Sequence, residues 1–350
     1  MGKQATPRSS ASGNATQGCV INVRALAILI VVMGHSIILY SDAWQLYQTP
    51  FSVPELNMAK HLINLVQMPL FFSLSGYCLV FSLARPSFDL GKFLLGKMRR
   101  LLVPFVLVGL LWMIPIKLLV GYPGYADKSI AWIVGVGLFA GQDCGNLWFL
   151  PSLFAMFVVA GVVYALLGNT RAADATLLGI GVGLLVLTAM GFKPPTGFLE
   201  QAAQHFVFFA LGLLTHRAKV ALQGGENASA PLRKTMQAAI GLVCLAIYAT
   251  ECFLILSRGL PLTHVQVAPW LIVAAFFLAP SATCGVTRLL SKDSMGLYLF
   301  HSPLLYPLFA YCSALMPAQF IALAFVGAGG LSIGLTEGLR ALKCGFVIGE

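Results

Sequence analysis

The chain has 350 residues, of which 58% are apolar (AVILMFWYC) and only 10% are charged. A soluble domain cannot bury that much apolar surface and a disordered chain does not carry it, which excludes a soluble enzyme, a fibrous protein and a disulfide-stapled secreted domain. A transmembrane barrel needs short alternating strands, whereas here unbroken apolar runs of about 20 residues recur from residue 23 to residue 338. The fold class expected is therefore all-α: a polytopic integral-membrane helical bundle of roughly ten transmembrane helices plus a short re-entrant segment.

In chain order, residues 1–20 are rich in Ser, Ala, Gly, Thr and Asn and are expected to form a disordered cytoplasmic tail. Residues 21–340 carry the transmembrane domain, and 341–350 a cytoplasmic C-terminal tail. Candidate spans lie at 23–40, 62–83, 101–120, 147–167, 175–192, 200–215, 236–257, 268–283, 294–312 and 319–338. The apolar stretch 130–140 is short and loosened by Gly135, Gly137 and the following Gly141, which suits a re-entrant or interfacial piece. Glycine pairs such as Gly179 with Gly183 and Gly330 with Gly334 are expected to let helices pack closely.

The net charge of +10 follows the positive-inside rule and needs no nucleic-acid partner. With ten spans and a cytoplasmic N-terminus, the inside segments collect Lys3, Arg8, Arg171 and the basic clusters at 85–100, 217–234, 288–292 and 340–343. The outside keeps Lys60, Lys117, Lys128, Lys193 and Arg258, and both termini are then cytoplasmic. Counting 130–140 as a crossing would turn basic loops outward. The eight cysteines are scattered without a C-x-x-C pair, so neither a disulfide framework nor a metal site is expected. The sequons at Asn14 and Asn227 fall in segments placed in the cytoplasm.

Ionisable side chains inside a bilayer cost at least a few kcal/mol, so each is a functional candidate. Arg24 and His35 stand eleven residues apart in the first span (RALAILIVVMGH), about three turns plus 20°, so they share one face. Arg24 then lies near the cytoplasmic surface and His35 close to mid-membrane, roughly 16 Å further along the axis. Lys97, Arg99 and Arg100 crowd one turn of FLLGKMRRLLVPF (93–105). Anchoring alone accounts for Lys97, while arginines beside Arg24 suit a phosphate-rich ligand. QMPLFFSLSGYCL (67–79) puts Ser73, Ser75 and Gly76 inside the second span, for close packing or as hydroxyl donors. NLWFLP (146–151) offers Trp148 as an interfacial aromatic or a substrate contact. GLYLFHSPLL (296–305) sets His301 about two turns into its span, as a packing histidine or a substrate contact.

In this order and spacing, Arg-x10-His, MPLFFSLSGY, KMRRLLVP, LWFLP and SMGLYLFHSPLL resemble the membrane-bound acyltransferase-3 family across residues 21–305. The Gly34-His35-Ser36 ending is most similar to the branch that acetylates sugars of surface polysaccharides, including fucose 4-O-acetylases. The resemblance implies an O-acetyltransferase in a bacterial inner membrane, with acetyl-CoA as acyl donor and no metal. The acceptor it implies is a hydroxyl of a glycan or lipid-linked sugar, modified beside the polysaccharide synthesis machinery. It carries His35 over as the catalytic histidine, and Arg24 and Arg100 as the motif arginines. Asn22 stands where the family often has Asp, and Ala25 where Gly commonly follows the basic residue.

Joined to the helix geometry, the resemblance suggests a mechanism. Arg24, Arg99 and Arg100 hold the negatively charged head of acetyl-CoA, and the thiol arm runs toward His35. His35 acts as general base on a sugar hydroxyl or passes through an acyl-histidine. Ser73 or Ser75 helps hold the oxyanion, and Trp148 and His301 contact the acceptor. The rivals are a transporter or flippase for a lipid-linked sugar and a non-enzymatic partner of a polysaccharide synthase. The lack of a visible internal repeat and the arginine cluster weigh against the transporter.

Overall fold

A computed structural model describes residues 8–42, 44–83, 88–224 and 229–350. Lys3, Arg85 and the sequon at Asn227 lie outside the described residues. Within them every regular element is helical. Helix α1 (Arg8–Ser36) is followed by α2 (Pro54–Leu83) and by α3 (Leu90–Val108), which runs through a π turn into α4 (Ile114–Leu119). Then come α5 (Ile130–Trp132) with a π continuation to Phe139, α6 (Phe149–Leu167), α7 (Arg171–Ala189), α8 (Gly197–Gly224) and α9 (Ala230–Ser257). The last elements are α10 (His264–Leu278), α11 (Gly285–Lys292), α12 (Ser294–Tyr311), α13 (Pro317–Ala322) and, after another π segment, α14 (Gly329–Ala341).

Local chemistry sets the helix starts. The side chains of Asp89, Ser129, Thr170 and Ser229 each accept a hydrogen bond from a backbone N–H in the first turn of the helix they precede. Thr263 and Gln266 form a reciprocal capping box on α10. Helix α1 begins at Arg8, so the backbone is already helical through most of the stretch that composition suggests is a tail.

Among the described residues, seven helices are long and apolar enough to cross a membrane: α1, α2, α3 with α4, α6, α7, α9, and α13 with α14. The ten expected from sequence included α8, α10 and α12 as well. Polar residues and prolines dilute the hydropathy of two of them, His205, His216 and Lys219 in α8 and His301, Pro303 and Pro307 in α12, while α10 is apolar but only 15 residues long. The stretch Ile130–Phe139 is a short apolar helix.

Helix α2 is central, with 72% of its span buried, against 11% for the peripheral α9. It packs on α1, α8 and α10; α12 in turn lies against α1 and α14. The closest approach is between α2 and α8. A Cβ on Gly76 would run into the carbonyl of Phe209, and one on Gly212 into that of Ser73. By contrast, no atom lies within 4 Å of a Cβ built on Gly179, Gly183, Gly330 or Gly334. Those glycines face open space, which corrects the expectation that they bring helices together. Asn22 ties α1 to the chain before α11, its Nδ2 donating to the carbonyls of Pro280 and Ala282, each at 2.8 Å. An Asp side chain at this position could not make those bonds.

Candidate active site

One cavity collects the cations of two helices and is closed by a third. Arg24 from α1, Lys97 and Arg100 from α3, and Ser294, Met295 and Tyr298 from α12 line it. Its inner wall is Phe71, Leu74, Ser75 and Cys78 of α2 with Phe149, Leu153 and Phe157 of α6. Arg24 and Arg100 also border a neighbouring hollow with Arg288, Lys292 and Glu350. The Glu350 carboxylate is bound by Arg340 at 2.8 and 2.5 Å. Neither Arg24 nor Arg100 joins an ion pair among the described residues. Guanidinium groups without a carboxylate partner on the wall of a largely apolar cavity match a ligand with an anionic head and a long, thinner arm.

Further along the same helices, His35 of α1 meets His301 of α12. The ring centroids are 4.9 Å apart at an interplanar angle of 68°, and His301 Nε2 lies 3.3 Å from His35 Nδ1. The partners fix the tautomers. His301 Nδ1 lies 2.7 Å from the Leu297 carbonyl and can only donate to it, so a neutral His301 presents a bare Nε2. His35 Nδ1 faces two acceptors, the Val31 carbonyl at 2.9 Å and His301 Nε2, so it carries the proton. His35 Nε2 is then the unprotonated nitrogen, the form a general base requires. His301 is fully buried while His35 is only half-buried, so His35 is the accessible member. Tyr298 links the pair to the cavity: it lines the cavity and its ring centroid is 6.4 Å from that of His301.

Two more polar groups of α2 crowd this pair. A Cβ built on Gly34, the residue before His35, would lie 2.9 Å from Gln67 Oε1 and 3.4 Å from Lys60 Nζ. Lys60 is only 2% exposed. Loop charges alone place Lys60 outside, before a span that starts at 62. In the structure α2 begins at Pro54 and buries it.

Of the residues singled out from sequence, Arg24 and Arg100 come together in the cavity, and His35 and His301 in the pair. Arg99 borders none of the hollows that Arg24 and Arg100 share; Lys97 takes that place. Ser73 is fully buried, its hydroxyl donates to the Leu70 carbonyl at 2.8 Å, and its backbone abuts α8. Of the two α2 serines, Ser75 is the one on the cavity wall. Trp148 packs beside Phe72 and His205, on the α8 side, with centroids 6.1 and 5.9 Å away.

The acyltransferase-3 family model, described as an acyltransferase domain, matches residues 18–337. No curated protein and no solved structure matches the chain.

Proposed function

The chain belongs to the acyltransferase-3 family, and from that premise we propose that it moves an acetyl group from acetyl-CoA to a hydroxyl of a cell-surface or exopolysaccharide sugar. The observation that supports this reading is the His35–His301 contact, in which His35 is left with a bare Nε2 beyond a cation-lined cavity. The phosphates of the donor pair with Arg24, Lys97 and Arg100, and its thiol arm follows the wall of Leu74, Phe71 and Tyr298. His35 Nε2 takes the proton of the sugar hydroxyl as its oxygen bonds to the thioester carbon. The tetrahedral oxyanion then collapses, the C–S bond breaks, and the CoA sulfur takes the proton from the His35 imidazolium. His301 Nε2 holds His35 in this tautomer by accepting from its Nδ1–H, and accepts more strongly once His35 is charged.

On this reading α8, α10 and α12 complete ten spans, the cation-lined cavity opens to the cytoplasm of a bacterial inner membrane, and both termini lie on that side. The acceptor class follows the Gly34-His35-Ser36 resemblance to fucose acetylases. The test is transfer of label from radiolabelled acetyl-CoA to host glycan in membranes with wild type or His35→Ala at matched expression. Label that disappears in the variant supports the assignment. Equal label would reduce His35 to packing, and absence of label in wild type would refute the acetyl donor and favour transport of a lipid-linked sugar.

A further inference from the structure

The two histidine-bearing helices lead to a second groove, at the end opposite the cation cavity. Tyr40 follows His35 by five residues and Phe309 follows His301 by eight, and both rings pack on Phe320 with centroids 6.0 Å away. Arg24 and Ser294, at the cavity, precede the same histidines. The pair therefore lies between two hollows, with the groove about 10 Å beyond it.

Tyr40, Trp44 and Tyr47 line this groove together with Asp42, Gln48 and Asn57. Phe309 backs the aromatic wall, 5.1 Å from Trp44 and 5.9 Å from Tyr47 between centroids. Thr49 Oγ1 donates to the Ser313 carbonyl at 3.0 Å, so the groove loop is tied to the chain that leaves α12. Flat ring faces beside amides and a carboxylate suit a ligand with apolar C–H faces and a hydroxylated rim.

From the groove a polar stripe enters the bundle along α2. Asn57, Lys60, Asn64 and Gln67 follow at spacings of three, four and three residues, which is one face of a helix. Below Gln67 the same face becomes Phe71, Leu74, Ser75 and Cys78, the wall of the cation cavity. The upper half carries orphaned groups. Lys60 joins no ion pair among the described residues, and Gln67 Oε1, Tyr40 OH and Tyr47 OH are buried without a hydrogen-bond partner. A buried polar atom left without a partner is costly, so together these groups outline the ligand that would satisfy them. It must donate to Gln67 Oε1, accept from Lys60 and do either for the tyrosines. Sugar hydroxyls do both, and an acyl chain does neither.

We propose that this groove and the Asn57–Lys60–Asn64–Gln67 stripe bind the acceptor saccharide, which reaches His35 from the end opposite the acyl donor. The chemistry rests on the acyltransferase reading, while the location rests on the orphaned groups.

Kinetics with soluble glycan fragments released from the host envelope separate the two ends. Trp44→Ala and Lys60→Met are each expected to raise the acceptor KM about tenfold, with the acetyl-CoA KM held within about twofold. Gln48→Ala, on the exposed rim, should raise the acceptor KM by a smaller factor and keeps the test readable if the Trp44 variant fails to fold. An acceptor KM unmoved in all three variants overturns the site. So does a Lys60→Met enzyme that loses only kcat, since Lys60 would then serve the transition state instead. If wild type transfers no label, tryptophan fluorescence with the same fragments decides. A saturable shift that is lost in Trp44→Phe upholds the saccharide site while the acyltransferase reading falls; no shift in wild type overturns the site too.

Discussion

Asn146 and Tyr298, far apart in the chain, exchange two hydrogen bonds. Asn146 Nδ2 donates to the Tyr298 carbonyl at 2.5 Å, and the Tyr298 hydroxyl donates to the Asn146 carbonyl. The exchange clamps the turn before α6 to α12, one turn short of His301. Asn146→Ala should lower stability by about 0.5–1.5 kcal/mol, the net worth of the buried hydrogen bond it removes from a carbonyl that lies inside α12. Tyr298→Phe keeps the ring and should cost less. Thermal unfolding in detergent measures both, and an Asn146→Ala protein that melts with wild type would refute the clamp.

His301 touches His35 through Nε2, so its loss should act on the chemical step. His301→Ala is expected to lower kcat about tenfold to a hundredfold and to leave the donor KM within about twofold; His35→Ala should lose about 10²–10⁴-fold. Steady-state kinetics with labelled acetyl-CoA provide the comparison. A His301→Ala enzyme altered only in KM would remove it from the base's support.

The cation cavity separates arginines that the sequence places side by side. Arg24→Ala and Arg100→Ala should each raise the acetyl-CoA KM about tenfold or more, as expected for a lost charge-assisted contact, while Arg99→Ala stays within about twofold. Equal effects at positions 99 and 100 would contradict the geometry.

Lys117 Nζ lies 2.7 Å from Asp143 Oδ1 with its side chain fully buried, and its ammonium sits 4.2 Å from the centroid of Tyr122. Breaking the pair with Lys117→Met leaves the Asp143 carboxylate in a largely buried place without its counter-charge. The expected loss is about 3 kcal/mol, partly recovered in Lys117→Met/Asp143→Asn. Unfolding of the single and double variants supplies the comparison, and additive losses would speak against a coupled pair.

Outside the spans, hydrogen bonds from Asn57 and His61 hold the Asp42 carboxyl below the ordinary carboxylate range. The stability it adds is complete above that range and is lost as the pH falls through the lowered value. On acidification toward about pH 3, wild type should therefore lose more melting temperature than Asp42→Asn. Parallel acid limbs for the two proteins would show that the clip contributes nothing.

How much of the site is legible in the sequence depends on whether one helix holds the information. Arg24 and His35 are, because the pitch of α1 alone relates them. The choice between Lys97 and Arg99 was also present: Lys97 and Arg100 are three residues apart and share a face, whereas Arg99 is turned about 100° from Arg100. The same spacing along α2 selects Ser75 over Ser73, since Phe71, Leu74, Ser75 and Cys78 form the cavity face. Lys60 is hidden in the sequence because Glu55, Asn57 and His61 dilute the hydropathy of the first turns of α2, which therefore fall outside a span drawn on apolar residues. The His35–His301 contact joins positions 266 residues apart, and no periodicity within one segment encodes it.

Because one face of α2 borders a hollow at each end, the groove at Asn57 and the cation cavity from Phe71 onward, the dense part of this path shrinks to the stretch between those two residues, which is level with the two imidazoles. Water and ions entering both hollows would carry the potential of either side inward, so that a membrane voltage falls over about 20 Å instead of the full hydrocarbon thickness of about 30 Å. A unit charge moved across that stretch exchanges about 2.3 kcal/mol per 100 mV. A proton shifting along the axis at His35 would sit in this concentrated field, so that its transfer would be sensitive to the energised state of the membrane.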